Sequence, residues 1–186
     1  MSEPKRKHLT ESELDLFLKA ARQTRHKIRD YCMALIAFRH GMRVSELIDI
    51  RLDEIDLEGA RLFVRRKKGS LSTHQPIEGD ELRAIRAWLR ERAVHGSAHA
   101  PWVFLSERGG KMCRQAVNYL FEQIGKKAGL SFKTHPHMLR HSCGYAMADR
   151  NITALTIKDY LGHKNIQHTV GYVATNAARF NGIWRK

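Results

Sequence analysis

Apolar positions in the first forty residues recur at helical spacing. Leu14, Phe17, Leu18 and Ala21 follow Thr10-Glu11-Ser12-Glu13, where a threonine and a glutamate three residues apart can cap each other's backbone, so an amphipathic helix is expected to begin there. Residues 28–38 are apolar on almost every side, as a buried helix requires, and Gly41 supplies a stop. Arg43 then falls in a tight turn ahead of a short helix carrying Leu47, Ile48 and Ile50, which would fix its guanidinium near a helix N-terminus. Between 55 and 77 the pattern shifts to strands. Gly59 marks a turn, 61–65 a strand, Lys68-Gly69-Ser70 a second turn and 71–77 a return strand, giving a small antiparallel three-stranded sheet with a basic hairpin.

Downstream the helical period resumes. Asp80 is expected to cap a helix with Leu82, Ile85 and Leu89 on its buried face and Gly96 at its end, and a loop with Pro101 leads to the apolar Trp102-Val103-Phe104-Leu105. A helix over 113–128 presents Ala116, Val117, Leu120, Phe121 and Ile124 on one face and stops at Gly129. Pro136 suits the first turn of the next, which runs to about residue 150, and two short helices over 154–161 and 166–173 follow. No repeat or low-complexity linker interrupts the pattern. The expectation is one α+β domain, mainly helical, over residues 1–186, with 1–9 a flexible basic arm that orders only on its partner.

Charge narrows the partners. The 33 Lys and Arg against 19 Asp and Glu give a net charge of +14, so a polyanion is the natural ligand and binding should weaken steeply with salt. No apolar run reaches membrane-spanning length, and Met1-Ser2-Glu3-Pro4-Lys5-Arg6-Lys7 has no apolar stretch behind its basic residues. Nucleic acid is favoured over membrane, and a cytoplasmic location associated with the bacterial nucleoid is expected. Cys32, Cys113 and Cys143 are odd in number and widely spaced, which reads as reduced structural thiols.

The densest chemistry lies in the last quarter. His137 and Arg140 are three residues apart on one helix face and can reach one phosphate together, although a surface arginine beside a capping histidine is the plainer reading. His137 and His141 also have metal-ligand spacing. No third ligand is evident and the guanidinium between them would oppose a cation, so no metal is expected. Gly162-His163 alone is a helix stop followed by an exposed histidine, and Tyr172 alone is a packed tyrosine. Their value comes from register, the tyrosine standing nine residues after His163.

Taken in order, these residues resemble the tyrosine recombinases, the phage integrase family. Gly41-Met42-Arg43-Val44-Ser45-Glu46 matches its G-x-R-x-x-E segment, Lys67-Lys68-Gly69 its hairpin lysine region, His137 to His141 its H-x-L-R-H, and Leu161 to His163 its L-G-H step, with the nucleophile on Tyr172. The likeness extends to the small fimbrial phase-switch recombinases through Thr134-His135-Pro136-His137-Met138-Leu139-Arg140-His141, Asn176-Ala177-Ala178-Arg179-Phe180, Arg39-His40-Gly41-Met42-Arg43 and Asp159-Tyr160-Leu161-Gly162-His163. Most family members place a DNA-clamping domain before the catalytic one. Arg43 stands too near the start for it, so site selection is expected to lean on the hairpin, the arm, DNA deformability or accessory DNA-bending proteins. Gly171, where the family often has a bulkier residue, is expected to loosen the tyrosine's helix.

The resemblance implies a metal- and cofactor-independent strand exchange. Arg43 and Arg140 would hold the nonbridging oxygens, His163 would add a hydrogen bond, and Tyr172 would form a 3′-phosphotyrosyl link. Lys68, with Lys67 as the alternative, would protonate the leaving 5′-oxygen, and His137 would accept or orient the phenol's proton, with His141 in support. Glu46 would buttress the cationic pocket. Arg65, Arg66 and Lys67 are candidate DNA contacts, the alternative for Arg65 and Arg66 being a solvated edge that keeps the hairpin from aggregating. Arg83, Arg86, Arg90 and Arg92 read as a solvated helix face, the alternative being one side of the DNA channel. The implied partner is double-stranded DNA with inverted-repeat sites, synapsed by a homotetramer. Phe180, Ile183 and Trp184 in the 174–186 tail either fold back on their own domain or, as the family implies, pack on a neighbour. Inversion of a fimbrial promoter is the expected outcome. A mobile-element integrase, a noncatalytic DNA-binding regulator on the same fold and a type IB topoisomerase-like enzyme are the alternatives.

Overall fold

The computed structural model describes residues 6–67, 70–94 and 99–175. Helix α1 (Glu11–Ala21) begins with the expected capping box, Thr10 accepting from Glu13 N while the Glu13 carboxylate accepts from Thr10 N. Helix α2 (Lys27–Arg39) is the axis of the fold. Its Cys32, Met33, Ala34, Leu35, Ile36 and Ala37 are all buried, because α1 (Glu11–Ala21), α4 (Gly79–Ala93) and α6 (Pro136–Asp149) pack on it from different sides. Gly41 ends the turn after α2 at φ 53°, a left-handed conformation that an L side chain resists. Arg43 follows as the N-cap of α3 (Val44–Leu47).

Strands β1 (Ile55–Asp56), β2 (Arg61–Val64) and β3 (Thr73–Pro76) form the antiparallel sheet in sequence order, with Leu62 opposite Gln75 and Val64 opposite Thr73. Leu62 and Val64 face the core at successive inward positions of the pleat. The return strand is shorter than its apolar pattern suggests, because Ser72 turns its hydroxyl to accept from Arg66 N instead of continuing the ladder. Helix α4 starts one residue before Asp80. That carboxylate serves as the acceptor of a forked pair from Arg39 at 2.7 Å and 2.7 Å rather than as the cap. Gly96, the expected stop, lies outside the described residues.

Helix α5 (Arg114–Lys127) stops at Gly129 as its sequence implies, and α6 (Pro136–Asp149) opens on Pro136. Helices α7 (Ala154–Leu161) and α8 (Gln167–Ala174) pack on α6 around a second small core of Cys143, Ala148, Ile157, Leu161 and Tyr172. Helix α8 runs unbroken through Gly171, so the expected loosening does not interrupt it. No described helix is long and apolar enough to cross a membrane.

Two further expectations are corrected. Arg83, Arg86 and Arg90 are exposed, but Arg92 is buried, its guanidinium turned inward to donate to Trp102 O at 2.9 Å and to Ala100 O. Residues 6–9 are not a loose arm. Leu9 is buried, its N donates to Ser142 Oγ at 2.9 Å, and Arg6 reaches Glu13 at 2.8 Å, so apolar burial and backbone pairing tie this segment to α6 and α1.

Candidate active site

Four elements converge on one cationic pocket. The turn after α2 delivers Arg43, α6 delivers His137, Arg140 and His141, the left-handed Gly162 after α7 turns His163 inward, and α8 carries Tyr172. Glu46 organises the first of these. Its buried carboxylate accepts from Arg43 N at 2.9 Å, from the Arg43 guanidinium at 2.7 Å and from Arg66 at 2.9 Å. Burial alone would raise the Glu46 pKa, but Arg66 and Arg43 outweigh it and hold the carboxyl below its ordinary value. Its contacts tie the Arg43 turn to the hairpin arginine.

Arg140 is 2% exposed. One of its nitrogens donates to Leu161 O at 2.8 Å and the other to Gly41 O, so the guanidinium plane is fixed by the chain on either side of it. Among the described residues no carboxylate lies within ion-pair distance of it. Burial, then Arg43 and Arg66, bring its pKa down to about 10, which still leaves it charged at neutral pH. Arg43 and Arg66 share the Glu46 carboxylate while Arg140 has none within ion-pair distance among the described residues, and a buried cation without its own counterion is costly unless an anion arrives.

The histidines and the phenol lie in the same field. His163 is pushed down to about 3 by burial and then by Arg140 and Arg43, and His141 to about 4 by burial and then by His137 and Arg140. His137, exposed in the first turn of α6, is lowered by desolvation, then Arg140, His135 and Arg43. Tyr172 is raised to about 12 by burial, with Arg140 opposing. Its protonated hydroxyl lies 2.8 Å from His141 Nδ1, and its ring is 6.2 Å from that of His163 between centroids. The contact expected of His137 is therefore made by His141. The two share a helix face one turn apart, and the deeper one meets α8. Thr169, which no motif singled out, is buried with its hydroxyl 2.8 Å from His163 Nδ1.

The basic residues of the hairpin differ in burial and pairing. Arg66 is not on the solvated edge: its side chain is fully buried and donates to Glu46, Gly41 O, His40 O and, at 2.6 Å, Tyr160 O. It ties the Arg43 turn to the end of α7. Arg65 pairs with Glu54 yet stays largely exposed, and the Lys67 ammonium is held by Asp49, which also holds Lys111. Lys68 lies outside the described residues. An open cleft of about 440 Å³ separates Ser70 and Leu71 of the hairpin from Gly162, His163 and Lys164.

Acid lability follows from the neutral histidines. A histidine in the unfolded chain takes up its proton near pH 6.5, whereas His141 and His163 do so only near 4 and 3 when folded. The unfolded state binds more protons in that window, so this stability is fully present above pH 6.5 and is lost as pH falls through it. Thermal melts should give a lower Tm at pH 5 than at pH 7.5, with a smaller gap for His163→Gln. An equal or higher Tm at pH 5 contradicts the assignment.

The half-buried Arg43, the buried Arg140, neutral histidines and a phenol beside a proton acceptor make a pocket suited to a phosphodiester. The chain matches the phage integrase family over residues 7–179 and belongs to it, so its class is that of the tyrosine recombinases. It is 46% identical to the type 1 fimbriae regulatory protein FimB of Escherichia coli K12 over 180 residues, covering 97% of this chain and 90% of that protein. It is 44% identical to FimE of the same strain over 183 residues, covering 98% and 92%. The fold superposes on the crystal structure of XerA recombinase with a TM-score of 0.83 at 24% identity, over 96% of this chain and 64% of that one. For XerH recombinase bound to its difH substrate before cleavage, the TM-score is 0.78 at 20% identity, over 97% and 53%. These likenesses bear out the mainly helical α+β fold.

Proposed function

We propose that this protein cleaves and rejoins double-stranded DNA at inverted-repeat sites, inverting the segment between them, and that the segment carries a fimbrial promoter. The observation that carries the chemistry is the buried Arg140 beside Arg43, a fixed cationic pair with a deficit of carboxylate. A phosphodiester supplies the missing negative charge, and two planar forks suit its nonbridging oxygens. The likeness to two fimbriae regulatory proteins over almost the whole chain supports the biological setting.

In the proposed step Tyr172 Oη attacks phosphorus, the new P–O bond forms as the P–O5′ bond breaks, and the phenol's proton passes to His141 Nδ1. A neutral histidine is the right acceptor, and His141 is kept neutral. If the Thr169 hydroxyl donates to His163 Nδ1, the His163 proton resides on Nε2, free to bond the phosphate. Lys68 donates the proton to the leaving 5′-oxygen. The engagement of Lys67 with Asp49 favours Lys68 for this task. His137, in the field of both arginines, is left to contact phosphate or orient His141, 4.5 Å away between ring centroids. Reversal by the partner strand's 5′-hydroxyl rejoins the DNA, so neither metal nor ATP enters.

Two sites exchanged in this way imply four active sites, hence a tetramer on synapsed DNA, with DNA-bending proteins bringing the sites together in the cytoplasm. The assembly role expected of Phe180, Ile183 and Trp184 falls on residues outside those described. A supercoiled reporter with two inverted sites tests the function. Inversion scored by orientation-specific amplification is expected; relaxation without inversion would indicate a topoisomerase, and binding without either would indicate a regulator.

A further inference from the structure

We propose that His8 is a positioning residue for Tyr172, acting through Tyr145; the inference rests on Tyr172 being the nucleophile. Residues 6–9 lie along α6 behind the site. Leu9 N donates to Ser142 Oγ, and that hydroxyl faces both Leu9 O at 3.2 Å and Met138 O at 2.9 Å. Arg6 pairs with Glu13 and covers the Phe132 ring at 4.9 Å. Held at both ends, the segment stacks the His8 ring on Tyr145 with 3.9 Å between centroids and 30° between planes.

Tyr145 in turn meets the Tyr172 ring edge to face at 5.0 Å and 72°. The next wall is Gly144, where an added Cβ would stand 2.5, 2.7 and 2.8 Å from three atoms of the Tyr172 ring. The phenol is thus confined by Gly144 and Tyr145 on α6 and by the hydrogen bond to His141, also on α6. His141 and Tyr145 are both partly exposed side chains, but His141 is set by its hydrogen bond to the phenol, whereas the Tyr145 ring is set by the group stacked on it. His8 is that group. Lys7 also helps to keep His141 neutral. The N-terminal segment therefore bears on the nucleophile rather than serving only as a DNA arm.

The test is single-turnover adduct formation on a nicked half-site at saturating protein, with half-site affinity measured in parallel. Loss of an aromatic stack of this kind should slow His8→Ala roughly three- to tenfold, with the half-site Kd within about twofold of the unmodified protein. His8→Phe keeps the stack without the imidazole and should restore the rate. Tyr145→Leu should slow cleavage similarly, and adding His8→Ala to it should cost nothing more, since the ring His8 supports is gone. The proposal is overturned by an unchanged rate in His8→Ala, by a loss confined to Kd, by a His8→Phe variant as slow as His8→Ala, or by additive losses in the double variant. Absence of a Tyr172 adduct in the unmodified protein would instead defeat the nucleophile assignment.

Discussion

Tyr172→Phe is expected to abolish covalent capture of DNA while leaving half-site affinity within a few-fold of the unmodified protein. The substitution removes one oxygen and keeps the ring that fills the space beside Gly144 and Tyr145. The acceptor left behind, His141 Nδ1, belongs to a neutral imidazole, so no buried charge is uncovered. Loss of a neutral hydrogen bond costs about 1 kcal/mol, too little to unfold a domain of this size. The whole effect should fall on the chemical step. A denaturing gel of protein incubated with a nicked substrate reads it directly, and a phenylalanine variant that still retains DNA would remove Tyr172 from the mechanism.

Arg140→Lys should reduce cleavage by roughly two orders of magnitude or more, as for loss of a preorganised donor at a developing oxyanion. Charge is conserved, but a lysine ammonium cannot bond Gly41 O and Leu161 O from a rigid plane while presenting a fork to phosphate. Half-site binding draws on charge across the surface and should change far less. Near-normal cleavage by this variant would leave Arg140 with only a structural role. EDTA should not affect the unmodified protein; a chelator-sensitive reaction would restore the metal reading of His137 and His141.

Much of this site is legible in the sequence because its parts are placed by local rules. The capping box at Thr10 and Glu13, the left-handed glycines at 41, 129 and 162, and Pro136 at a helix start each depend on residues a few positions apart. With the helices placed, the spacing of Arg43, Arg140, His163 and Tyr172 follows. The misreadings have a common physical origin. Arg66 lies in a run of four basic residues that composition assigns to solvent or DNA, but its partners are Gly41, Glu46 and Tyr160, 20 to 94 positions away. Arg92 turns inward to carbonyls of a loop that follows its helix.

His137 and His141 pose a subtler case. Both lie on one face of α6, so helical periodicity cannot choose between them; the choice is made by α8, which packs against the deeper turn. Leu9 is a lone apolar residue in a basic stretch, and only the fold supplies the Ser142 hydroxyl that its backbone pairs with across 133 positions. Thr169 carries no motif signal, yet it sits between the Leu161-Gly162-His163 step and Tyr172, facing the His163 ring.

The central claim is that Tyr172 forms the covalent link to DNA. It is tested most directly by trapping the unmodified protein on a nicked site, digesting the DNA and protein, and locating the residual nucleotide by mass spectrometry. The account predicts a nucleotide joined through its 3′-phosphate to the peptide containing Tyr172, with a free 5′-hydroxyl on the released strand. A nucleotide on any other residue, or a 5′-phosphate linkage, would contradict it.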